Sequence, residues 1–438
     1  MPENIDISNT GNTQAVAQFG VRINREEIAT LDIAPQTETE ESTFDYALNA
    51  PAETSHILTT HNSDFVNRLM KSVSMSANPL ILVRHGIGGP DGAVRWYPWQ
   101  DHLIRSFQAV PLGLGNQAGN LVRLSTVDAL GRIDRHKKTV ARSGTISSIV
   151  QQIAEENGFT DTVIEETTGT FSLIQNMSDT EFLISRLVKR AQNTKGRGNY
   201  ACWVLDGVLH FHSADYESTL KEINFFQQSS GYDFEAVDSA QDRVLRGSGR
   251  TRTVAYDMVE GKIQSYNSDA SKALRFGDTY PDFNELENIE FEMNLHVGLN
   301  QMAELEAIGQ NVYEYERSRM FMVDLVTGKT PNVQVGDILN LVIDPTRAKV
   351  SPWSGYYHVV GVKHLFQKGD MTSRFTLARG ELTSRVEVFS DLQDQVIAKQ
   401  FAAEGEPLNA AAIAASKRTK ATRVRDGLLK TPLDPNNT

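Results

Sequence analysis

Few residues in this 438-residue chain have the types and spacing that chemistry requires. His210 and His212 form a His-x-His on one strand, so both rings point to the same face, the usual start of a metal site. The single cysteine, Cys202, falls on the opposite face of the same hairpin with Val204, Leu209 and Phe211, so no zinc set is completed locally. Glu155-Glu156 and Glu165-Glu166 supply paired carboxylates. A glycosidase, however, needs two carboxylates held about 5–10 Å apart across a cleft, one of them desolvated. Adjacent residues at a helix end or in a polar loop are expected to be solvated instead. Thr327-Gly328-Lys329-Thr330 has the ending of a phosphate loop but Val323 where its first glycine belongs, and reads as a turn between strands. Gly113 to Gly119 is glycine-rich like a dinucleotide loop, yet a strand (Leu121–Val127) follows it where a phosphate-holding helix is needed. No Ser-His-Asp or Cys-His set has supporting spacing. The expectation is no catalytic, no cofactor-binding and no metal-ligating residue.

Composition narrows the classes further. The formal net charge of -12 argues against binding a phosphate backbone as the main activity, and an acidic surface lets a polyanion pass without sticking. One basic cluster stands apart, Lys417, Arg418, Lys420, Arg423 and Arg425, in a segment read as a helix with a solvated tail or as an arm that orders on a partner, an acidic one or nucleic acid. No apolar run is long enough to span a membrane, and the start is polar and acidic, unlike a secretory signal. With one cysteine there is no intramolecular disulfide, which fits folding in a reducing cytoplasm. The length calls for two to four domains.

The elements that must position these residues centre on 143–212. Thr145 caps a helix with Ile146, Ile149, Val150, Ile153 and Ala154 at helical spacing, and Gly158 supplies the left-handed stop. Ser178-Asp179-Thr180-Glu181 is a capping box opening a second helix lined by Leu183, Ile184, Leu187, Val188 and Ala191. Tyr200–Leu205 and Val208–His212 flank Asp206-Gly207, a type I′ hairpin signal that sets His210 opposite Trp203 and His212 opposite Ala201.

Before this unit, Val16–Val21 reads as a strand and Thr37 to Thr43 as a polar, acidic turn region. Phe65, Val66, Leu69, Met70 and Val73 make the apolar face of a helix capped by Asn62 or Ser63. Leu80–Val83 is a buried strand, and Gly86 to Gly92 a hairpin connection into Ala93–Trp99. Asp128 to Arg142 is a charged connection. After the unit, Phe234 to Tyr256 returns to strands, and Tyr266 to Pro281 is a polar loop. Leu299 to Arg317 is a helix running into the strand Met320–Val326. Short strands follow at Val333–Leu341, Gly355–Phe366 and Ser373–Arg379, a density that implies a barrel or sandwich.

In their order and spacing these pieces resemble the baseplate hub proteins of contractile-tailed bacteriophages, the family related to the N-terminal part of type VI secretion spike proteins. The resemblance rests on Ser143-Gly144-Thr145-Ile146 through Gly158-Phe159, Asn176 to Leu183 with Leu187, and the hairpin around Asp206-Gly207-Val208-Leu209-His210-Phe211. Val335-Gly336-Asp337, Ser354-Gly355-Tyr356-Tyr357-His358-Val359 and Phe375-Thr376-Leu377 complete it. It covers roughly residues 145–380.

It implies an α+β chain with two tail-tube-like β-barrel domains, an inserted α/β helix-helix-hairpin module and a C-terminal extension. The corresponding divisions are 1–142 for the first barrel, with an insertion around 44–120, then 143–215 for the module. The second barrel takes 216–390, and 391–438 is a C-terminal helix and basic tail. It further implies a homotrimeric ring adapting a sixfold tail tube to a threefold central spike, in contact with tube, spike and other baseplate proteins. Phage DNA would pass through without specific binding, and nothing would insert into a membrane. The place of such a protein is the virion tail baseplate, after assembly in the host cytoplasm. The alternatives from other classes are a tail-associated peptidoglycan hydrolase and a cell-wall-binding module.

Overall fold

The computed structural model describes residues 4–5, 15–23, 26–27, 37–75, 79–88, 94–96, 99–112, 119–214, 216, 220–225, 232–236, 246, 250–257, 261–269, 290–295, 301–327, 333–343, 353–367 and 370–380. Most of its regular structure is β. A 15-stranded sheet dominates, with smaller sheets of two, three and three strands beside it and few helices.

The large sheet turns on one strand, Gly355–Gln367. One of its edges pairs with Asp370–Arg379, while the other is shared between two partners. Its start, Gly355–His358, pairs with Ile338–Leu341, and its end, Gly361–Gln367, pairs with Glu41–Ala47. The register shifts between Val359 and Gly361, a bulge that turns the strand from one partner to the other. Beyond Thr37–Ala47 the sheet continues through Glu53–Thr60, Gly119–Val127, Gln100–Leu112, Leu80–Gly88 and Ala15–Ile23. On the other side, Leu220–Phe225 lies parallel to Ile338–Ile343, and Phe321–Thr327 pairs with both Asp370–Arg379 and Tyr232–Ala236. Among the described residues this sheet stays open. The closed barrels expected from strand density are not formed by them.

Alternation explains the sheet's sidedness. Ser42, Phe44 and Tyr46 point inward with Thr54, His56 and Leu58, and all are buried. The expectation of a turn at Thr37 to Thr43 is therefore wrong: Thr37–Ala47 is one long strand. Its inward positions include a hydroxyl where an aliphatic residue would have announced a strand, and Ser42 is buried because His56 takes its hydrogen bond.

The helix over Ser63–Met75 is capped by Asn62, whose Oδ1 accepts from Phe65 N. Phe65, Val66 and Leu69 are buried, whereas Met70 and Val73 face solvent, narrowing the apolar stripe that their spacing predicted. Leu80–Gly88 and Val94–Trp96 pair as the two arms of the expected hairpin. The charged connection from Asp128 contains a short helix, Ala129–Ile133, capped by Asp128 and burying Leu130 and Ile133. The long helix is Gln301–Ser318, followed by the strand Phe321–Thr327 as expected. It packs on the three-stranded sheet of Arg250–Asp257, Lys262–Asn267 and Glu290–Leu295, with the hydroxyl of Tyr266 donating to Gln310. Among the described residues no helix is long and apolar enough to cross a membrane.

Among the described residues there are two apolar cores. One lies within the large sheet, from Phe44, Leu58 and Val122 to Leu339, Val359 and Phe375. The other lies within the module, around Ile149, Ile153, Phe182, Leu187 and Phe211. The basic cluster from Lys417, the glycines from 113 to 118 and the turn over 328–330 lie outside the described residues.

Candidate functional site

The junction between the cores is the hairpin of Tyr200–Leu205 and Val208–Ser213. Asp206 and Gly207 hold φ of +51° and +82°, as a type I′ turn requires. The two-residue turn fixes the register, so Trp203 lies opposite His210 and Ala201 opposite His212. Period-two alternation then divides the hairpin between cores. Ala201 and Trp203 belong to the sheet core, and Tyr200, Cys202, Val204, Leu209 and Phe211 to the module core.

On the sheet-facing side the rings stack. His210 lies parallel to Trp203 at 5.0 Å and 9°, and His212 meets the same indole edge-on at 4.7 Å and 68°. Burial, with the neighbouring His212, lowers His210 to about 4, and His212 Nδ1 lies 2.9 Å from the carbonyl of Ser213. Both rings are part of the packing. Among the described residues, no group of three or more His, Cys, Asp or Glu side chains is arranged to hold a metal ion. Cys202 is fully buried, and burial with the nearby Asp128 raises its thiol pKa, the opposite of an activated nucleophile.

The hairpin is fixed to the sheet from two directions. The turn after Ala47 brings Asn49, at φ +59°, beside Cys202. The Asn49 N–H donates to the Cys202 carbonyl, and Cys202 N donates to Asn49 Oδ1 at 2.8 Å. From the other side comes Val335-Gly336-Asp337, whose Gly336 packs on Trp203. That turn is closed by Gln334 N donating to Asp337 Oδ2 at 2.7 Å, and it grips the branching strand through Gly336 N to Val359 O and Val359 N to Asp337 O, both 2.9 Å.

The module beneath is built as its caps predict. Thr145 Oγ1 accepts from Ser148 N, and Ser178 Oγ from Glu181 N. The second helix departs from a regular α-helix, because Asp179–Phe182 runs into a π turn at Leu183–Leu187 and a tight turn at Val188–Arg190. Its start carries a polar cluster. Buried Arg142 grips Glu156 with both terminal nitrogens (2.9 and 2.8 Å) and Gln175 with Nε, and Lys138 binds Asp179 at 2.6 Å. Burial alone would raise Asp179, but hydrogen bonds from Gln175, Lys138 and Asn157 outweigh it and hold its carboxyl below the usual range.

The candidate acids are accordingly scattered. Glu155 is exposed, and Glu156 is the partner of Arg142, whose hydrogen bonds lower its pKa. Glu166 is exposed, but Glu165 is not, which corrects the expectation of a solvated pair. Its carboxylate accepts from Asn193 Nδ2 at 3.0 Å and from Ser213 N at 2.9 Å, tying two loops to the end of the hairpin. The crevice between the Ala47–Ala52 turn, the hairpin tip and Val335 is lined by apolar side chains and backbone and has no carboxylate in its wall. Nothing in this arrangement aims a desolvated acid and a base at a common point.

A line of polar side chains beneath the hairpin tip went unread in the sequence: buried Ser42, Thr54, His56, His102 and Thr126, with half-buried Gln100 at its end. The inward-facing alternation around His56 and His102 was the available signal.

No family description matches the chain, and no curated protein matches it. Solved structures do. The tail protein of Neisseria meningitidis MC58 is 12% identical, with a TM-score of 0.50 over 84% of this chain and 99% of that one. The 43 kDa tail protein of prophage MuSo2 from Shewanella oneidensis is 10% identical, with a TM-score of 0.52 over 83% of this chain and 99% of that one. A chain of the half-lidded Francisella PdpA–VgrG complex is 11% identical, with a TM-score of 0.51, and this chain, matched over 85% of its length, spans 59% of it. At these identities the likeness is one of fold alone: a mostly β chain with the architecture of the two tail proteins and of part of the PdpA–VgrG complex chain.

Proposed function

We propose that the chain is a structural baseplate hub, three copies of which form a ring that adapts a sixfold tail tube to a threefold central spike. The observation that carries this reading is the branching strand Gly355–Gln367. It fuses two half-sheets into one continuous sheet that stays open among the described residues, and neighbouring copies would close its ends. Each copy then offers the ring two similar β faces, one from 1–142 and one from 216–390. The module of 143–215 stands between them in the chain, and the basic cluster of 391–438 would meet a protein partner.

In this role the chain meets the tube protein on one face and the spike on the other, with further baseplate proteins around it. DNA crosses the ring without specific binding, which the net charge of -12 favours. The protein works in the virion tail after assembly in the host cytoplasm, and no residue performs catalysis. The scattering of Glu155, Glu156, Glu165 and Glu166 supports that last point.

The test is the mass of the full chain, alone and co-expressed with the spike, by sedimentation with light scattering. Three chains per particle supports the hub. A monomer under both conditions contradicts it.

A further inference from the structure

Beneath the hairpin tip an unbroken run of hydrogen bonds crosses four neighbouring strands. Ser42 Oγ lies 2.9 Å from His56 Nδ1, and His56 Nε2 lies 2.9 Å from Thr54 Oγ1. Thr54 Oγ1 is 2.6 Å from Thr126 Oγ1, which is 2.9 Å from His102 Nδ1. His102 Nε2 is 3.2 Å from Gln100 Oε1, and Gln100 Nε2 donates to Asp206 Oδ1 at 3.0 Å. Ser42, Thr54, His56, His102 and Thr126 are all buried, so their polar atoms depend on protein partners such as these.

Its direction follows from one end. Asp206, as a carboxylate, only accepts, so Gln100 turns its NH2 toward it and its oxygen toward His102. That oxygen, which also accepts from the Tyr46 hydroxyl at 3.5 Å, can only accept, so the contact with His102 places the ring's proton on Nε2 and leaves Nδ1 to accept from Thr126. The Thr126 hydroxyl, having donated, accepts from Thr54. Thr54 in turn accepts from His56 Nε2–H, and His56 Nδ1 accepts from Ser42. Every donor in the run points toward Asp206.

We infer that Asp206, at the tip of the module's hairpin, orders this ribbon from its far end, so that docking of the module sets the tautomers of His102 and His56 and steadies the strand carrying Ser42. The strand in question, Thr37–Ala47, is the one paired with Gly361–Gln367, so the module is coupled to the seam between the two half-sheets. Asp206 is a positioning residue here, acting through Gln100. Among the described residues, the titratable groups facing the ribbon are the two imidazoles, Asp206, the Tyr46 phenol 3.5 Å from Gln100 Oε1, and His364, whose ring centre is 6.4 Å from that of Tyr46. None of these besides Asp206 brings a negative charge near neutral pH, so both imidazoles stay neutral, as burial also requires.

The test uses the full chain with 15N-labelled histidine and long-range 1H–15N spectra at pH 7.5, His56 and His102 being assigned from single His→Gln variants. Both rings are expected to carry the proton on Nε2. Asp206→Gly keeps the positive φ of the turn but removes the acceptor. It should lower the Nε2–H to Nδ1–H ratio at least tenfold at both rings and reduce amide protection of residues 41–47 by a similar factor. Gln100→Leu, which leaves the turn untouched, should do the same. Thr126→Val cuts the ribbon in its middle and should release His56 alone, with His102 still held by Gln100. A proton on Nδ1 of either ring in the unaltered protein overturns the inference. So do tautomers that stay unchanged in both Asp206→Gly and Gln100→Leu. Neither readout depends on the oligomeric state, so failure here and failure of the hub reading are separate results.

Discussion

The indole of Trp203 lies against the bare α-carbon of Gly336: a Cβ added there would come within 2.7 Å of Trp203 Cζ2, and the glycine holds φ +91°. One residue thus meets two demands. The backbone must turn left-handed to grip Val359, and the turn must leave room for the ring that joins the module to the sheet.

Gly336→Ala therefore meets both a strained backbone, about 1–2 kcal/mol, and overpacking, about 1–3 kcal/mol. The expected loss is roughly 2–4 kcal/mol in urea unfolding. A loss below about 0.5 kcal/mol would mean the Trp203 contact is loose.

Removing charge from the module cluster should be expensive. Arg142→Leu leaves Asp179, which is 1% exposed, with one cationic partner fewer, and takes the Arg142 bonds from Glu156, which keeps Lys138 at 3.6 Å, and from the Gln175 oxygen. A cost of about 3–5 kcal/mol is expected for breaking a buried pair from one side. Glu155→Gln, on an exposed carboxylate, should stay within about 0.5 kcal/mol and change nothing on a cell-wall zymogram. Cell-wall clearing that disappears with Glu155 would contradict the structural reading.

Acid should destabilise the fold between about pH 6.5 and 4. Burial lowers His102 and His364 to about 4 and His358 to about 3, and takes His56 well below its ordinary value. A folded-state pKa below the unfolded one means that the unfolded chain binds more protons as pH falls through 6.5. The stability from neutral imidazoles is complete above that point and is lost toward the folded values, by on the order of 3 kcal/mol for a ring held near pH 4. Asp128 works the other way. Its burial raises it to about 7, so its contribution is full below the ordinary carboxylate range and fades as pH rises through 7. Five lowered rings, His210 among them, against two raised carboxyls, Asp128 and Asp206, fix the sign: the urea midpoint should drop clearly from pH 7.5 to pH 4.5, and an unchanged midpoint would mean these rings are hydrated.

Cys202 reports on the junction between the cores. It is fully buried with its thiol pKa raised, so a thiol reagent should label it only as the chain unfolds, with the labelling curve in urea overlying the loss of secondary structure. Labelling well before that transition would show the hairpin leaving its place independently.

Local chemistry made parts of this fold readable in the sequence. A two-residue Asp206-Gly207 turn leaves one register, so the facing of Trp203, His210, His212 and Cys202 follows by counting. Thr145 and Ser178 name helix starts because few other residues satisfy orphan N–H groups so well. What stayed hidden depends on distant partners. Thr37–Ala47 is a strand because Gly361–Gln367 lies beside it and His56 lies under Ser42, and neither is visible within the segment. Glu165 looks like any loop carboxylate until Asn193 and Ser213 N are brought to it. The π turn after Phe182 follows no periodicity that the apolar spacing could announce.

In the proposed hub, copies of this polypeptide complete one another. Imaging the particle formed by the full chain with its spike and tube proteins should therefore show a threefold ring with a central bore and sheet edges joined between neighbours. A solitary chain with its edges covered by its own residues, and no bore, would rule the hub out.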